Sequence, residues 1–335
     1  MTDVAREAGC SQATVSFVLN HTPGIKLSSD TRTRVFETAR RLGYAVPASS
    51  APRLLASRGR QIGVLADQLT TSPGAVLAIE GLTEASRASG DVVLVAETQH
   101  DEHSGAEIIR TFIHQRLSAL VYMTALTRKI ELPEPMVGLD MPVFLLNCYT
   151  SSHLYPAVVP SETAGGQRST RHLIEQGHRR IATITGEIWM EAAQDRLLGY
   201  RRALATADLP FDPSLVVEGD LSVNSGYDAT RHLLALPQPP SAIFCQNDRM
   251  AIGCYKALRE GGYDIPADMS VLGFGDEEIA RYLQPRLTTS ILPHRAMGRW
   301  IVEQLSEYVP RPGRYPLVKL ECPLIERGSV SPHKA

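Results

Sequence analysis

The chain has 335 residues, 43% of them hydrophobic, and carries 34 Lys and Arg against 36 Asp and Glu for a net charge of −2. This length and apolar content predict about two domains with sizeable cores and exclude a disordered chain. No apolar run reaches the ~20 residues of a membrane span, and five scattered cysteines (Cys10, Cys148, Cys245, Cys254, Cys322) without a CxxC argue against zinc or a disulfide framework and for a reducing cytoplasm. The near-neutral total hides an asymmetry. Residues 1–60 hold nine Lys and Arg against four acids, a net of +5, while the remainder holds 25 against 32, a net of −7. A basic head on an acidic body is the pattern expected when one end meets phosphates.

The first twenty residues predict two short helices. Val4, Ala5 and Ala8 make an apolar stripe, Gly9 stops the helix, and Ser11 is a good N-cap for the next one. In that second helix Val15, Val18 and Leu19 face inward, leaving Gln12, Ala13, Ser16 and Phe17 outside. Helix, glycine turn and a second helix with a polar start describe a DNA-binding helix-turn-helix; the alternative is an ordinary two-helix corner. Ser28-Ser29-Asp30 caps a third helix, roughly Asp30 to Leu42. It has Val35, Phe36, Ala39 and Leu42 on one side, Arg32, Arg34, Arg40 and Arg41 on the other, and Gly43 at its end.

Residues 44–61, rich in Pro, Ser, Ala and Arg, are linker-like, with a short helix possible from Pro52 to Ser57. Apolar strands then alternate with helical periodicity. Strands are expected at 61–66, 91–96, 117–122 and 142–147, with helices between them, one at 107–115. The alternation restarts with helix 165–177, strand 180–185 and helix 194–207. It continues with strands 216–218, 242–245 and 270–274, and helices 225–236 and 248–261. Such alternation implies parallel sheets covered on both faces, and two successive runs imply two α/β lobes with a ligand cleft between them.

Several segments resemble the LacI/GalR family of transcription regulators: Asp3-Val-Ala-Arg-Glu-Ala-Gly9, Ala13-Thr-Val-Ser16, Val18-Leu-Asn20, Leu42-Gly-Tyr44 and Ile62-Gly-Val64. They continue with His172-Leu-Ile174, Gly177-His-Arg-Arg-Ile181, Asp195-Arg-Leu-Leu-Gly-Tyr200, Asn247-Asp248, Met250-Ala-Ile-Gly253, Ser270-Val-Leu-Gly-Phe274 and Leu287-Thr-Thr289. The resemblance implies an all-α headpiece and a periplasmic-binding-protein-like α/β core of two doubly wound parallel-sheet lobes. The expected divisions are headpiece 1–43, hinge 44–60, one lobe from 61–160 and 290–320, and the other from 161–289 and 321–335. It also implies a homodimer on a pseudo-palindromic operator and a small effector, usually a sugar or nucleobase; no cofactor, metal or catalytic residue is expected.

Carried over residue by residue, the resemblance puts Gln12, Ala13 and Phe17 at base edges: Gln can pair with adenine, and Ala or Phe can touch a thymine methyl. Thr14 and Ser16 fall to phosphates, with Thr2, Ser11 and Asn20 beside them. Position 17 is often Arg in the family, so Phe17 implies a different operator preference. Leu54, with Arg53 and Leu55 beside it, matches the hinge leucine that wedges into the minor groove; Pro52 departs from the pattern and should shorten the hinge helix. For the effector, Arg196 is the strongest candidate, since a fork of fixed donors suits vicinal hydroxyls. Asn247, Asn147, Asp67, Asp276, Thr71, Ser72 and His294 follow, with Trp189 as a stacking face. Gly275-Asp276 lacks the first acid of the usual pair, which argues against a cationic ligand.

An effector that weakens operator affinity through lobe closure is the expected mechanism, with corepression by a nucleobase or other metabolite as the alternative direction. A sugar-binding protein without a DNA role shares the core but not residues 2–20. An enzyme is disfavoured because no GxGxxG after the first strand, GxxxxGK[ST], GxSxG or HExxH occurs.

Overall fold

The computed structural model describes residues 2–19, 28–42, 59–99, 101–309 and 313–333. The chain divides into two compact units, Met1–Arg58 and Gly59–Ala335. The first holds helices α1 (Thr2–Glu7), α2 (Gln12–Leu19) and α3 (Ser29–Arg41). Val4, Ala8, Val15, Val18, Val35 and Ala39 bury themselves between the three. The stop and start signals act as their chemistry requires. Gly9 takes φ +63°, a conformation that favours a residue without Cβ. The Ser11 Oγ accepts from the Thr14 N–H at 3.0 Å, and the Ser28 Oγ accepts from the Thr31 N–H at 3.2 Å, so both following helices carry serine caps. Two arginines of α3 brace this unit: Arg34 Nε donates to the Ala8 carbonyl at 2.8 Å, and Arg41 pairs with Glu7 at 2.6 Å.

The second unit contains two six-stranded sheets. The first comprises β1 (Gln61–Ala66), β2 (Val92–Glu97), β3 (Ala119–Lys129), β4 (Val143–Tyr149), β5 (Ala157–Pro160) and β11 (Leu317–Leu320). Their order is β2-β1-β3-β4-β5-β11, all parallel. Helices α4 (Pro73–Ala88), α5 (Glu102–His114) and α10 (His294–Ser306) accompany them. The second sheet comprises β6 (Ile181–Thr185), β7 (Val216–Glu218), β8 (Ala242–Cys245), β9 (Ser270–Gly275), β10 (Thr288–Ile291) and β12 (Leu324–Ile325). Its order is β7-β6-β8-β9-β10-β12, parallel except for β12. Helices α6 (Glu162–Glu175), α7 (Glu191–Thr206), α8 (Val223–Leu234) and α9 (Asp248–Glu260) belong with this sheet. The central strands are buried on both faces, which is why they read as continuous Val/Ile/Leu runs. In each sheet the order reverses beside the first strand, at β1/β3 and at β6/β8. Such a switch point leaves a crevice beyond the strands' carboxyl ends.

The chain crosses between lobes after β5, after β10 and after β11. Because β10 runs to Ile291 in the second sheet, the second crossover falls after 291 rather than before the expected 290. β3 is also longer than expected: it continues through an irregularity between Met123 and Arg128 to Lys129.

Three helix pairs touch backbone to backbone through reciprocal glycines. A Cβ on Gly81 of α4 would lie 2.0 Å from the Arg295 oxygen of α10, and one on Gly298 would lie 2.0 Å from the Ala78 oxygen. Gly166 and Gly199 do the same for α6 and α7, at 2.4 Å from the Arg196 oxygen and 2.2 Å from the Thr163 oxygen. Gly226 and Gly253 join α8 to α9, at 2.1 and 1.9 Å from carbonyl oxygens. No other residue allows backbones this close. Among the described residues no helix is long and apolar enough to cross a membrane, and no cluster of His, Cys, Asp and Glu could hold a metal ion.

Candidate functional site

On the headpiece, α2 presents Gln12, Ala13 and Phe17 to solvent. Phe17 is 38% exposed, so it does not close the headpiece core. The Gln12 Nε2 donates to the Thr2 Oγ1 at 2.6 Å and ties the starts of α1 and α2 together. The Ser11 Oγ, besides capping α2, lies 2.8 Å from the Thr14 Oγ1. Ser16 is half-buried. Asn20, the hinge residues Arg53, Leu54 and Leu55, and Pro52 lie outside the described residues.

In the core, a cavity of about 500 Å³ opens between the lobes at the facing carboxyl ends of the two sheets. Thr71, Ser72 and the start of α4 follow β1, Ala125 and Leu126 lie within the irregular stretch of β3, Leu221 follows β7, and Asn247 follows β8. Arg196 and His294 complete it from α7 and α10.

Arg196 is 7% exposed and almost fully committed. Its Nε and Nη2 donate to the two Glu162 oxygens at 2.7 and 2.9 Å, and its Nη1 donates to the Gln246 carbonyl at 2.5 Å. The guanidinium carbon stands 4.3 Å over the centre of the Phe274 ring. Of its five N–H donors, two remain for a ligand. Asn247 caps α9, with its Oδ1 accepting from the Met250 N–H and its Nδ2 donating to the Leu221 carbonyl, both at 2.8 Å. That second bond holds Leu221 at φ +66°, a strained conformation for a branched side chain on a site wall. Ser72 caps α4 through the Ala75 N–H at 3.3 Å.

Thr71, Ser72, Arg196, Asn247 and His294 therefore meet at one cavity, whereas four other candidates do not line it. Asp67 is buried by the Arg128 guanidinium and the Ala125 N–H, each at 2.8 Å, and faces a separate cavity of the first lobe. Asn147, at φ +62°, folds back on its own sheet. Its Nδ2 donates to the Thr124 and Ala125 carbonyls, and its Oδ1 accepts from the Thr127 hydroxyl. Asp276, at φ +52°, turns to Arg327 at 2.5 Å and Arg281 at 3.1 Å. Trp189 is 62% exposed in the turn before α7 and stacks on nothing in the cavity. The missing acid at position 275 does not leave the wall without carboxylates, because Glu80, Glu277 and Glu278 line it. Sequence reasoning also passed over Glu162, the partner of Arg196. Its signal was an acidic residue in the first turn of a helix, hidden because that helix was expected to begin at Gly165.

Known proteins resemble both units of the chain. Residues 1–46 match the model of bacterial regulatory proteins of the lacI family, and residues 170–330 match a periplasmic binding protein-like domain. The ribose operon repressor of Escherichia coli K12 is 32% identical over 336 residues, covering 98% of this chain and 99% of its own. The transcriptional repressor PurR of Vibrio cholerae is 31% identical over 310 residues, covering 92% and 90%. The structure of the lac repressor dimer bound to operator and the anti-inducer ONPF superposes with a TM-score of 0.71 at 26% identity, covering 98% of each chain. The chain belongs to the LacI family of bacterial regulatory proteins. It is a DNA-binding transcriptional regulator, its headpiece within the lacI-family match and its second lobe largely within the periplasmic binding protein-like match.

In this LacI-family core, burial, and secondarily Arg196, push the His294 imidazole down to about 4. His294 therefore meets the cavity as a neutral ring, able to donate and accept. Its folded pKa lies below the unfolded value, so the stability it contributes is present above pH 6.5 and is lost as the pH falls toward 4. The loss is on the order of 3 kcal/mol. Denaturant unfolding between pH 7 and 4.5 should show a smaller acid loss in His294→Phe than in the wild type. Asp248 works oppositely: burial pushes it up to about 7, against hydrogen bonds from Thr289 at 2.6 Å and the Glu277 N–H at 2.7 Å. Its contribution falls as the pH rises from about 4 toward 7 and persists in both proteins.

Proposed function

We propose that this regulator is a repressor acting as a homodimer in the cytoplasm. Two headpieces engage a pseudo-palindromic operator through α2, and a carbohydrate-like effector held between the core lobes releases them. The observation that carries the reading is the inter-lobe cavity with a buried arginine at its floor. It combines hydroxyl, amide, imidazole and guanidinium groups with apolar walls from Val76, Leu77 and Leu292. Polar side chains converging on a concave cleft with apolar walls are the make-up of a small-molecule site, and the relatives include a ribose operon repressor. No catalytic role is needed for any group in the cavity. The lobes give the effector a two-state element to bias, with a coupling of roughly 1–3 kcal/mol.

Gel shifts with operator fragments selected from a random pool, with and without pentoses and hexoses, test this. Specific binding that a neutral sugar weakens is the expected result; a sugar that tightens binding would establish corepression instead. Gln12→Ala should lower affinity for the selected site by about 1–3 kcal/mol and relax preference at one base pair. If Gln12→Ala binds the selected and scrambled sites as the wild type does, α2 does not read the operator.

A further inference from the structure

The charges around the cavity determine which effectors it admits, an inference that rests on the effector cleft proposed above. Arg196 arrives already neutralised, because both Glu162 oxygens close on its guanidinium and Glu162 is itself only 2% exposed. The other lining charges are Arg249 and three glutamates, Glu80, Glu277 and Glu278. Arg249 is answered by Glu277 at 3.3 Å, and Glu80 by Arg295 at 2.5 Å. His294 is buried and neutral, and the Asp248 side chain lies behind Gly273 and Gly275 of the same wall. An anionic ligand would thus lose its hydration and meet no uncompensated cation. A neutral polyol meets what it needs: two guanidinium N–H groups, hydroxyls, an amide and an imidazole.

We infer that the cleft takes an uncharged, polyhydroxylated effector and rejects phosphate esters and carboxylates, and that Glu162 sets this selectivity by neutralising Arg196 from within the protein. Specificity here is built from a repulsive element as much as from an attractive one. Glu162→Gln frees a buried positive charge at the cavity floor and creates an anion site.

The test titrates full-length protein on operator DNA with neutral sugars and their phosphate monoesters, and follows thermal unfolding in inorganic phosphate. The wild type should respond to a neutral sugar at least about a hundred-fold more tightly than to its ester, and phosphate should not raise its melting temperature. Glu162→Gln should narrow that gap by about tenfold or more and should be stabilised by phosphate. Glu162→Asp retains the charge and should keep the preference for the neutral sugar over its ester and stay unaffected by phosphate, with a weaker affinity where the shorter side chain loosens Arg196. A wild type that binds the ester as tightly as the sugar overturns the inference, as does a folded Glu162→Gln protein that gains no anion binding. If Glu162→Gln does not fold, the sugar-to-ester ratio in the wild type and Glu162→Asp decides. If neither sugars nor esters bind, the carbohydrate reading falls, while phosphate binding to wild type and Glu162→Gln still decides the charge inference.

Discussion

Arg196→Ala is expected to destabilise the core by about 3–5 kcal/mol, the cost of leaving one member of a buried ion pair without its partner. Glu162 would keep its position at the start of α6, 2% exposed, and the Thr127 hydroxyl, 3.4 Å away, already donates to the Asn147 Oδ1 at 2.7 Å. The Gln246 carbonyl would lose its donor, and Phe274 its covering cation. On the sequence alone this substitution should remove the effector response and leave DNA binding untouched. The Glu162 pairing adds a large stability term, so the response must be measured where the variant remains folded. Denaturant unfolding of wild type, Arg196→Ala and the double variant Arg196→Met/Glu162→Met separates the effects. Because a buried pair exchanged for apolar side chains is often neutral, the double variant should recover most of the loss while remaining unresponsive to effector. A loss below about 1 kcal/mol in Arg196→Ala, the size of an exposed pair, would show that Glu162 is not buried as described.

The same pair shows where sequence stops being sufficient. The headpiece is legible because its signals are local: an apolar stripe, Gly9 at positive φ and two serine caps all lie within a few residues of the helices they delimit. The alternation of strands and helices is legible for the same reason, through strands long and apolar enough to stand out. β5 has four residues and ends in Pro160, and β12 has two, so both escape a periodicity argument. Missing β5 shifted the expected start of α6 and hid Glu162.

The strand-end polar residues are harder still. Asn247, Asn147 and Asp276 give the same sequence signal, a polar side chain where a strand finishes, yet only Asn247 reaches the cavity. Carbonyls on the neighbouring strand and an arginine 51 residues away capture the other two. Those captors are distant in sequence, and the positive φ that turns the side chains toward them leaves no mark in composition.

The close glycine contacts carry the largest stability effect expected outside the cavity. In a solvent-facing helix, Gly→Ala gains up to about 1 kcal/mol from propensity. At Gly253 the sign should reverse. The added Cβ would lie 1.9 Å from the Val223 oxygen and 2.5 Å from the Tyr227 nitrogen, backbone atoms that no rotamer change can move. Overpacking of about 1–3 kcal/mol, occasionally more, therefore competes with that gain, and a contact this short places the net cost near the upper end. Gly253→Ala should lower the denaturant midpoint without changing its slope. The displacement should also weaken the effector response, because α9 begins at the Asn247 cap and Asp248 is its first residue. Gly226→Ala strains the same crossing from the other side, at 2.1 Å from the Met250 oxygen. Once one substitution has pushed α8 and α9 apart, the second meets less resistance. The double variant should thus cost less than the two singles added, as coupled neighbours do. Strict additivity would mean that the two glycines serve separate contacts, and that α8 and α9 do not close on each other through this pair.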